Sequence, residues 1–265
     1  MQFNSTAKRM TVQLERFYNT LLPGGLKKKR PIFRSYLGAV FAEVDFEGAT
    51  VLDIGGGDGT FSYFAAASGA RHVTNLEPIF DGSSESMHAR FHELGSELGQ
   101  SVQVSLDHRT IENFDNQERF DIILLHNSIN HLDESACEKL SDDDPIYRKK
   151  YLTLLTRVSD LCAEDGRIIV CDCSNKNFFA TLRMRNPFAP SIEWHKHQPP
   201  ELWASLLEKV GFTDAKIVWT PYNRLRPLGR LLNSRLLRPI ATSAFGAFFI
   251  TSHFRLSMKN RANGA

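Results

Sequence analysis

Apolar positions near the start of the chain recur at helical spacing. Met10, Leu14, Phe17, Tyr18, Leu21 and Leu22 form one stripe that predicts a helix over 5–22. Pro23-Gly24-Gly25 ends it, and Lys27–Arg30 leads into a second apolar helix over about 32–44. From Ala49 the pattern changes. Short apolar runs predict strands at about 50–54, 72–77, 102–106, 120–125, 167–171 and 215–219, and a last apolar strand at 246–251. Helical patterns fall between them at about 59–68, 84–98, 146–162 and 200–209, and Glu164-Asp165-Gly166 reads as a turn.

Strands spaced by helices imply an α/β fold: a doubly wound, mostly parallel seven-stranded sheet with helices on both faces. Residues 1–48 read as an N-terminal helical cap and 49–220 as the core. Residues 221–265 read as a basic insertion and the last strand of the same domain. In such sheets ligands bind at the carboxyl ends of the strands, beside the topological switch point.

The first predicted strand runs directly into Val51-Leu52-Asp53-Ile54-Gly55-Gly56-Gly57-Asp58-Gly59-Thr60. Glycines at 55, 57 and 59 permit backbone angles that a side chain forbids, and they let a ligand lie against the main chain. Free N–H groups of the turn and of the helix behind it would face that ligand. Eighteen residues after Gly59, Glu77 ends the second strand, where a carboxylate can accept both hydroxyl hydrogens of a ribose. The nicotinamide pattern G-x-G-x-x-G fits less well, because its third glycine would fall at Thr60.

Asp53, followed by glycines at alternate positions, resembles the first motif of the class I methyltransferases that use S-adenosylmethionine (SAM) and release S-adenosylhomocysteine (SAH). Other segments arrive in that family's order. Glu77 follows the second strand. Asp107 with Ile111–Phe114 follows the third. Phe120–Leu125 is similar to the fourth motif, and Glu164–Val170 to the segment leading into the fifth strand. The resemblance covers about 49–172 well and continues loosely to Trp219. It implies that Asp53 serves the amino-acid end of SAM through its ammonium, directly or by water. It also implies that Gly55, Gly57 and Gly59 pass the methionine chain, that Glu77 holds the ribose, and that Asp107 meets adenine. His126, closest to the end of the fourth strand, is expected to line the same pocket.

The acceptor side should lie after the fourth and fifth strands and in the caps. The candidate catalytic residues are His131, which matches a histidine common in the family after the fourth strand, Asp172 at the end of the fifth, and His195 and His197 in Glu193-Trp194-His195-Lys196-His197-Gln198. Trp194 is a candidate acceptor contact. Histidines at i and i+2 could ligate a metal from an extended segment, but no third ligand stands at a familiar spacing, so no metal is expected.

Charge refines this picture. Residues 1–50 hold 8 Lys and Arg against 4 Asp and Glu, residues 51–214 hold 15 against 26, and residues 215–265 hold 9 against none. An acidic centre suits a cationic cofactor, and a basic tail suits an anionic partner. The segment 224–239 carries five arginines and six leucines, and Arg230–Leu237 predicts an amphipathic helix. Arg230 and Arg235 would meet an anionic membrane surface or an anionic group of the acceptor. No nucleic-acid module accompanies the charge, so no nucleic acid is expected. Four cysteines lack zinc spacing and read as free thiols. No run of about 18 apolar residues and no N-terminal apolar region point to a cytoplasmic chain, peripheral at the inner membrane face.

The leading expectation is a SAM-dependent O-methyltransferase acting on a sugar or glycan hydroxyl, including an anionic or lipid-linked one. Methylation of a natural product or quinone-like metabolite is the second reading. A non-catalytic protein that keeps the pocket as a scaffold is the third.

Overall fold

The structure is a computed structural model describing residues 2–21, 30–79, 84–99, 102–142, 144–220, 232, 234 and 236–261. Helices α1 (Gln2–Leu21) and α2 (Arg30–Val40) precede the sheet. The first half then runs β1 (Thr50–Ile54), α3 (Thr60–Ala67), β2 (His72–Leu76), α4 (Ser84–Leu98), β3 (Val104–Asp107) and β4 (Phe120–His126). The second half continues with α5 (Glu134–Lys139), α6 (Pro145–Leu161), β5 (Cys162–Cys173), α7 (Phe178–Thr181), α8 (Pro200–Glu208), β6 (Phe212–Trp219), α9 (Arg238–Ala241), α10 (Ala244–Phe249) and β7 (His253–Asn260).

Among the described residues, seven strands form one sheet in the order β3-β2-β1-β4-β5-β7-β6. Strands β1 to β5 pair in parallel, and β7 runs antiparallel between β5 and β6. The chain doubles back between β1 and β4, so a crevice opens there at the carboxyl ends.

Alternation along the strands feeds two cores. Leu52, Ile123, Leu125, Ile168 and Val170 face α6 and α8, which supply Tyr151, Leu155, Trp203 and Leu207. Val51, Ile122, Leu124, Ile169 and Cys171 face Phe17, Leu37, Phe64 and Leu94 on the first four helices. A sheet covered on both faces needs apolar residues of both parities, which is why its strands read as continuous apolar runs. All four cysteines are free and buried.

Two expectations are corrected. The segment 246–251 is not the last strand. Ala244–Phe249 is helical, capped by Ser243, whose Oγ accepts the Gly246 N–H at 3.1 Å. Gly246 is required there, because a Cβ would stand 2.0 Å from the Ile240 carbonyl oxygen. The last strand is His253–Asn260, whose alternating Phe254, Leu256 and Met258 fill the α6–α8 core. Glu164–Gly166 is not a turn before β5. It lies inside that strand as an irregularity, with Asp165 at φ 57° and a register shift against β4. The helix expected over 230–237 falls largely outside the described residues, as do Arg230 and Arg235.

Candidate functional site

Three backbone hydrogen bonds prolong the ladders past the strand ends, and a fourth closes the glycine turn; together they fix the rim of the crevice. Gly55 N–H donates to Leu76 O at 2.8 Å, Glu77 N–H to Asp107 O at 2.9 Å, Asn127 N–H to Cys171 O at 2.7 Å, and Gly59 N–H to Gly56 O at 3.0 Å. The Ser128 hydroxyl donates to Ile54 O at 2.5 Å and latches the loop after β4 onto the glycine turn. This contact decides the residue at position 55. Its φ is +68°, and a Cβ there would lie 2.5 Å from Ser128 Cβ.

The rim encloses a cavity of about 820 Å³. Its lining includes Gly55, Gly57, Glu77, Ile111, Leu132, His131 and Glu134. Glu77 Oε2 accepts the Gly57 N–H at 2.9 Å, which orients the carboxylate and leaves Oε1 for a ligand. Three carboxylates, Glu77, Glu112 and Glu134, line the space. An apolar slot for a purine, an oriented carboxylate for a ribose, a glycine wall for an extended chain and acidic surroundings for a sulfonium and an ammonium fit SAM.

Other residues expected around the cofactor fall at different distances from this space. Asp53 is fully buried beneath the turn and is not part of the lining. Its Oδ2 accepts the Ser62 hydroxyl at 2.7 Å, and Oδ1 has no partner among the described residues. Burial pushes its carboxyl up to about 7, and the Ser62 bond opposes that shift. Gly59, at φ +77°, starts α3 with no room for a Cβ against Phe91. Asp107 is engaged by Arg109, with Nη2 and Oδ2 2.7 Å apart, and that partner holds its carboxyl below the usual range. Asp107 does not line the cavity, whereas Ile111 and Glu112 of the following segment do. Asp121 works at the opposite end of the sheet, where its Oδ2 accepts both the N–H and the hydroxyl of Thr50 at 2.8 Å.

His126 turns toward the N-terminal cap instead of the cavity. Its ring stacks on Phe61 at 3.8 Å between centroids, and Nε2 lies 2.7 Å from the Tyr36 hydroxyl. Burial pushes the imidazole down to about 4, so it is neutral at pH 7. His131 does line the cavity, with Nδ1 2.6 Å from Glu134 Oε1. The hydrogen bond from His131 and then the Lys196 ammonium hold the Glu134 carboxyl below its ordinary value.

On the acceptor side the structure joins two candidates. Asp172 Oδ1 lies 2.9 Å from His197 Nδ1. The carboxylate is buried at the end of β5, accepts the Cys173 N–H at 2.7 Å, and has Oδ2 without a partner among the described residues. His197 Nε2 makes no hydrogen bond among the described residues. The loop that carries it is pinned by Gln198, whose Nε2 donates to Cys137 O at 2.7 Å, and by Lys196, paired with Glu134 at 3.0 Å. His195 points elsewhere, with Nε2 3.5 Å from Glu138, and Trp194 lines a second opening beside it. Cys173 Sγ also stands within 4.8 Å of the Asp172 and His197 donor atoms, a third group that chain spacing did not reveal. Ile111 belongs to the segment after the third strand that the family resemblance marks, whereas Ser128 and Leu132 had no signal of their own and are brought to the cavity by the neighbouring of β1 and β4.

The comparisons with known proteins agree with this geometry. A family model described as a methyltransferase domain matches residues 27–217. No curated protein matches the sequence. Among solved structures, the apo form of the S-adenosylmethionine-dependent methyltransferase SibL superposes with a TM-score of 0.52 at 17% identity, over 93% of this chain and 62% of that one. A putative S-adenosylmethionine-dependent methyltransferase from Listeria monocytogenes gives 0.57 at 14%, over 87% and 98%. The plantazolicin methyltransferase BpumL in complex with SAH gives 0.53 at 14%, over 99% and 100%. The chain thus spans less than two thirds of SibL and nearly the whole of the other two.

Proposed function

This chain belongs to the methyltransferase domain family, and from that premise we propose that it methylates a hydroxyl of a sugar or glycan, on an anionic or lipid-linked acceptor. The enzyme is a SAM-dependent transferase; the cofactor, when bound, supplies an electrophilic methyl group on a sulfonium. The reading of a hydroxyl acceptor rests on the Asp172–His197 pair. An alcohol is a poor nucleophile until its proton has somewhere to go. In the proposed step His197 Nε2 accepts that proton. Asp172 Oδ1 accepts the hydrogen bond from Nδ1–H, fixes the tautomer and stabilises the imidazolium that forms. Gln198 and Lys196 hold the loop, so the pair is oriented before an acceptor arrives.

A membrane-surface location is supported by the face formed by α9 and α10. Ile240, Phe245 and Phe249 are exposed there, Phe245 by 72%, and in the sequence this face directly follows the arginine-rich stretch 224–239. No helix among the described residues is long and apolar enough to cross a membrane.

The experiment is methyl transfer from labelled SAM to a panel of glycans, lipid-linked glycans and small phenolic or quinol metabolites. Label in a glycan as a methyl ether supports the proposal. Label confined to the small metabolites replaces the acceptor class. SAH binding without transfer to any member would indicate a binding protein. Flotation with anionic liposomes tests the membrane part, and failure to float removes it.

A further inference from the structure

A second cavity, of about 570 Å³, opens beside the segment that carries the proposed base. Its walls come from two stretches. One is Asn175 to Arg185, which leaves the end of β5, and the other is Ile192 to His195, which enters the turn before α8. These stretches also carry the two members of the proton-accepting pair. Asn175 follows Asp172 by three residues, and His195 precedes His197 by two. Chain connectivity therefore keeps the Asn175 and His195 ends of the two walls within about 10 Å of the pair, roughly the span of one or two sugar rings.

The lining chemistry is specific. Arg183 and Arg185 present two exposed guanidinium groups, and neither has a carboxylate partner among the described residues. The nearby acids are otherwise engaged. Glu193 is paired with Lys196 at 3.0 Å, and Glu138 faces His195 at 3.5 Å. Trp194 and Met184 add apolar surface between these charges. The stretch is built rather than loose. Asn177 caps α7 through the Phe179 N–H at 2.9 Å and donates to Ser252 Oγ at 2.9 Å, and Asn186 Nδ2 donates to Ile250 O at 2.6 Å. Arg183 is held at φ 52°, a left-handed conformation that an arginine adopts only when its surroundings impose it.

We infer that this cavity is an acceptor subsite for a glycosyl unit bearing a carboxylate or phosphate, with Arg183 and Arg185 binding the anion and Trp194 covering the ring. Guanidinium forks match both anions in bidentate geometry, and a flat aromatic face covers the C–H face of a pyranose. The charged unit would sit one position from the sugar whose hydroxyl meets His197. This subsite rests on the reading of the chain as a glycan methyltransferase and gives that acceptor its charge.

The test is calorimetry on the full chain saturated with SAH, titrated with trigalacturonate, glucose 1-phosphate and neutral maltotriose. The expected result is binding of one or both anionic probes, not of maltotriose, weakened at least about tenfold in Arg183→Gln/Arg185→Gln with SAH affinity unchanged. Which anionic probe binds identifies a carboxylate or a phosphate as the ligand group. Binding of maltotriose as tight as trigalacturonate, equal affinity in the double variant, or no anionic binding up to about 10 mM in a protein that holds SAH overturns the subsite. Failure to hold SAH would instead strike the underlying methyltransferase reading. Trp194→Ala supplies a second variant, expected to weaken the same probe without altering the melting temperature of the SAH complex.

Discussion

The two halves of the sheet solve different problems. Around β1, β2 and β4 the site is made largely of backbone: a glycine turn, strand-end hydrogen bonds, and one carboxylate oriented by a main-chain N–H. Around β5 and β7 it is made of side chains on irregular segments, fastened by Asn177, Asn186, Gln198 and Ser252. A backbone site suits a ligand that is always the same molecule. A side-chain site can be redrawn for each acceptor while the sheet stays intact.

The largest effect that should separate the halves is kinetic. His197→Ala is expected to lower kcat by about 100- to 10,000-fold while leaving SAH affinity unchanged, measured by labelled-methyl transfer and calorimetry. An unchanged kcat would remove the proposed proton path. The reverse case is Gly55→Ala. The clash with Ser128 Cβ and the left-handed φ should cost about 1–3 kcal/mol and lower SAH affinity more than about 30-fold. Gly57→Ala is its control. It shares the positive φ, but the nearest atom to a new Cβ is Met87 Sδ at 3.9 Å, so a smaller loss in melting temperature and affinity is expected.

A third comparison tests whether the cofactor half carries a latent burden. The Asp53 carboxyl is raised to about 7, whereas in the unfolded chain it titrates near 4. The folded state therefore keeps this proton to higher pH, and the penalty for ionising it builds as pH rises from about 4 and is complete somewhat above 7. Asp53→Asn should stabilise the SAH-free protein by about 2–4 kcal/mol at pH 8 and by almost nothing near pH 4, read from urea denaturation at both values. Glu77→Gln should weaken SAH by about tenfold, through loss of a charged acceptor. His131→Ala is expected to have the smallest effect, within about two- to fivefold on kcat/KM, since its contact with Glu134 is a half-exposed pair.

Sequence pattern reveals these halves unequally. Gly55, Gly57 and Glu77 are legible because their places around the cavity follow from local backbone geometry at fixed spacing. Asp172 and His197 each stood out as candidates, but their pairing depends on the path of the loop between them. Tyr36 and His126 are 90 positions apart, and only the docking of α2 on the sheet joins them. The last strand was masked by its neighbour. The aromatic run at 246–251 is more apolar than His253–Asn260, yet the latter alternates, and alternation is the property a strand needs when it joins a sheet. Asp107 is the opposite case: its position follows from the strand order, but its pairing with Arg109 two residues later does not.

The place of β7 has a consequence for how the protein is made. Among the described residues, strand β6 pairs only with β7, and β7 alone covers the outer edge of β5. A nascent chain emerging as far as residue 220 therefore holds the complete β1–β5 ladder, with an open edge at Ile168–Val170 and a sixth strand that has nowhere to go. The cofactor half can form early in synthesis. The half around β5 and β7 waits until His253–Asn260 leaves the ribosome, and in that interval β5 presents an unpaired edge.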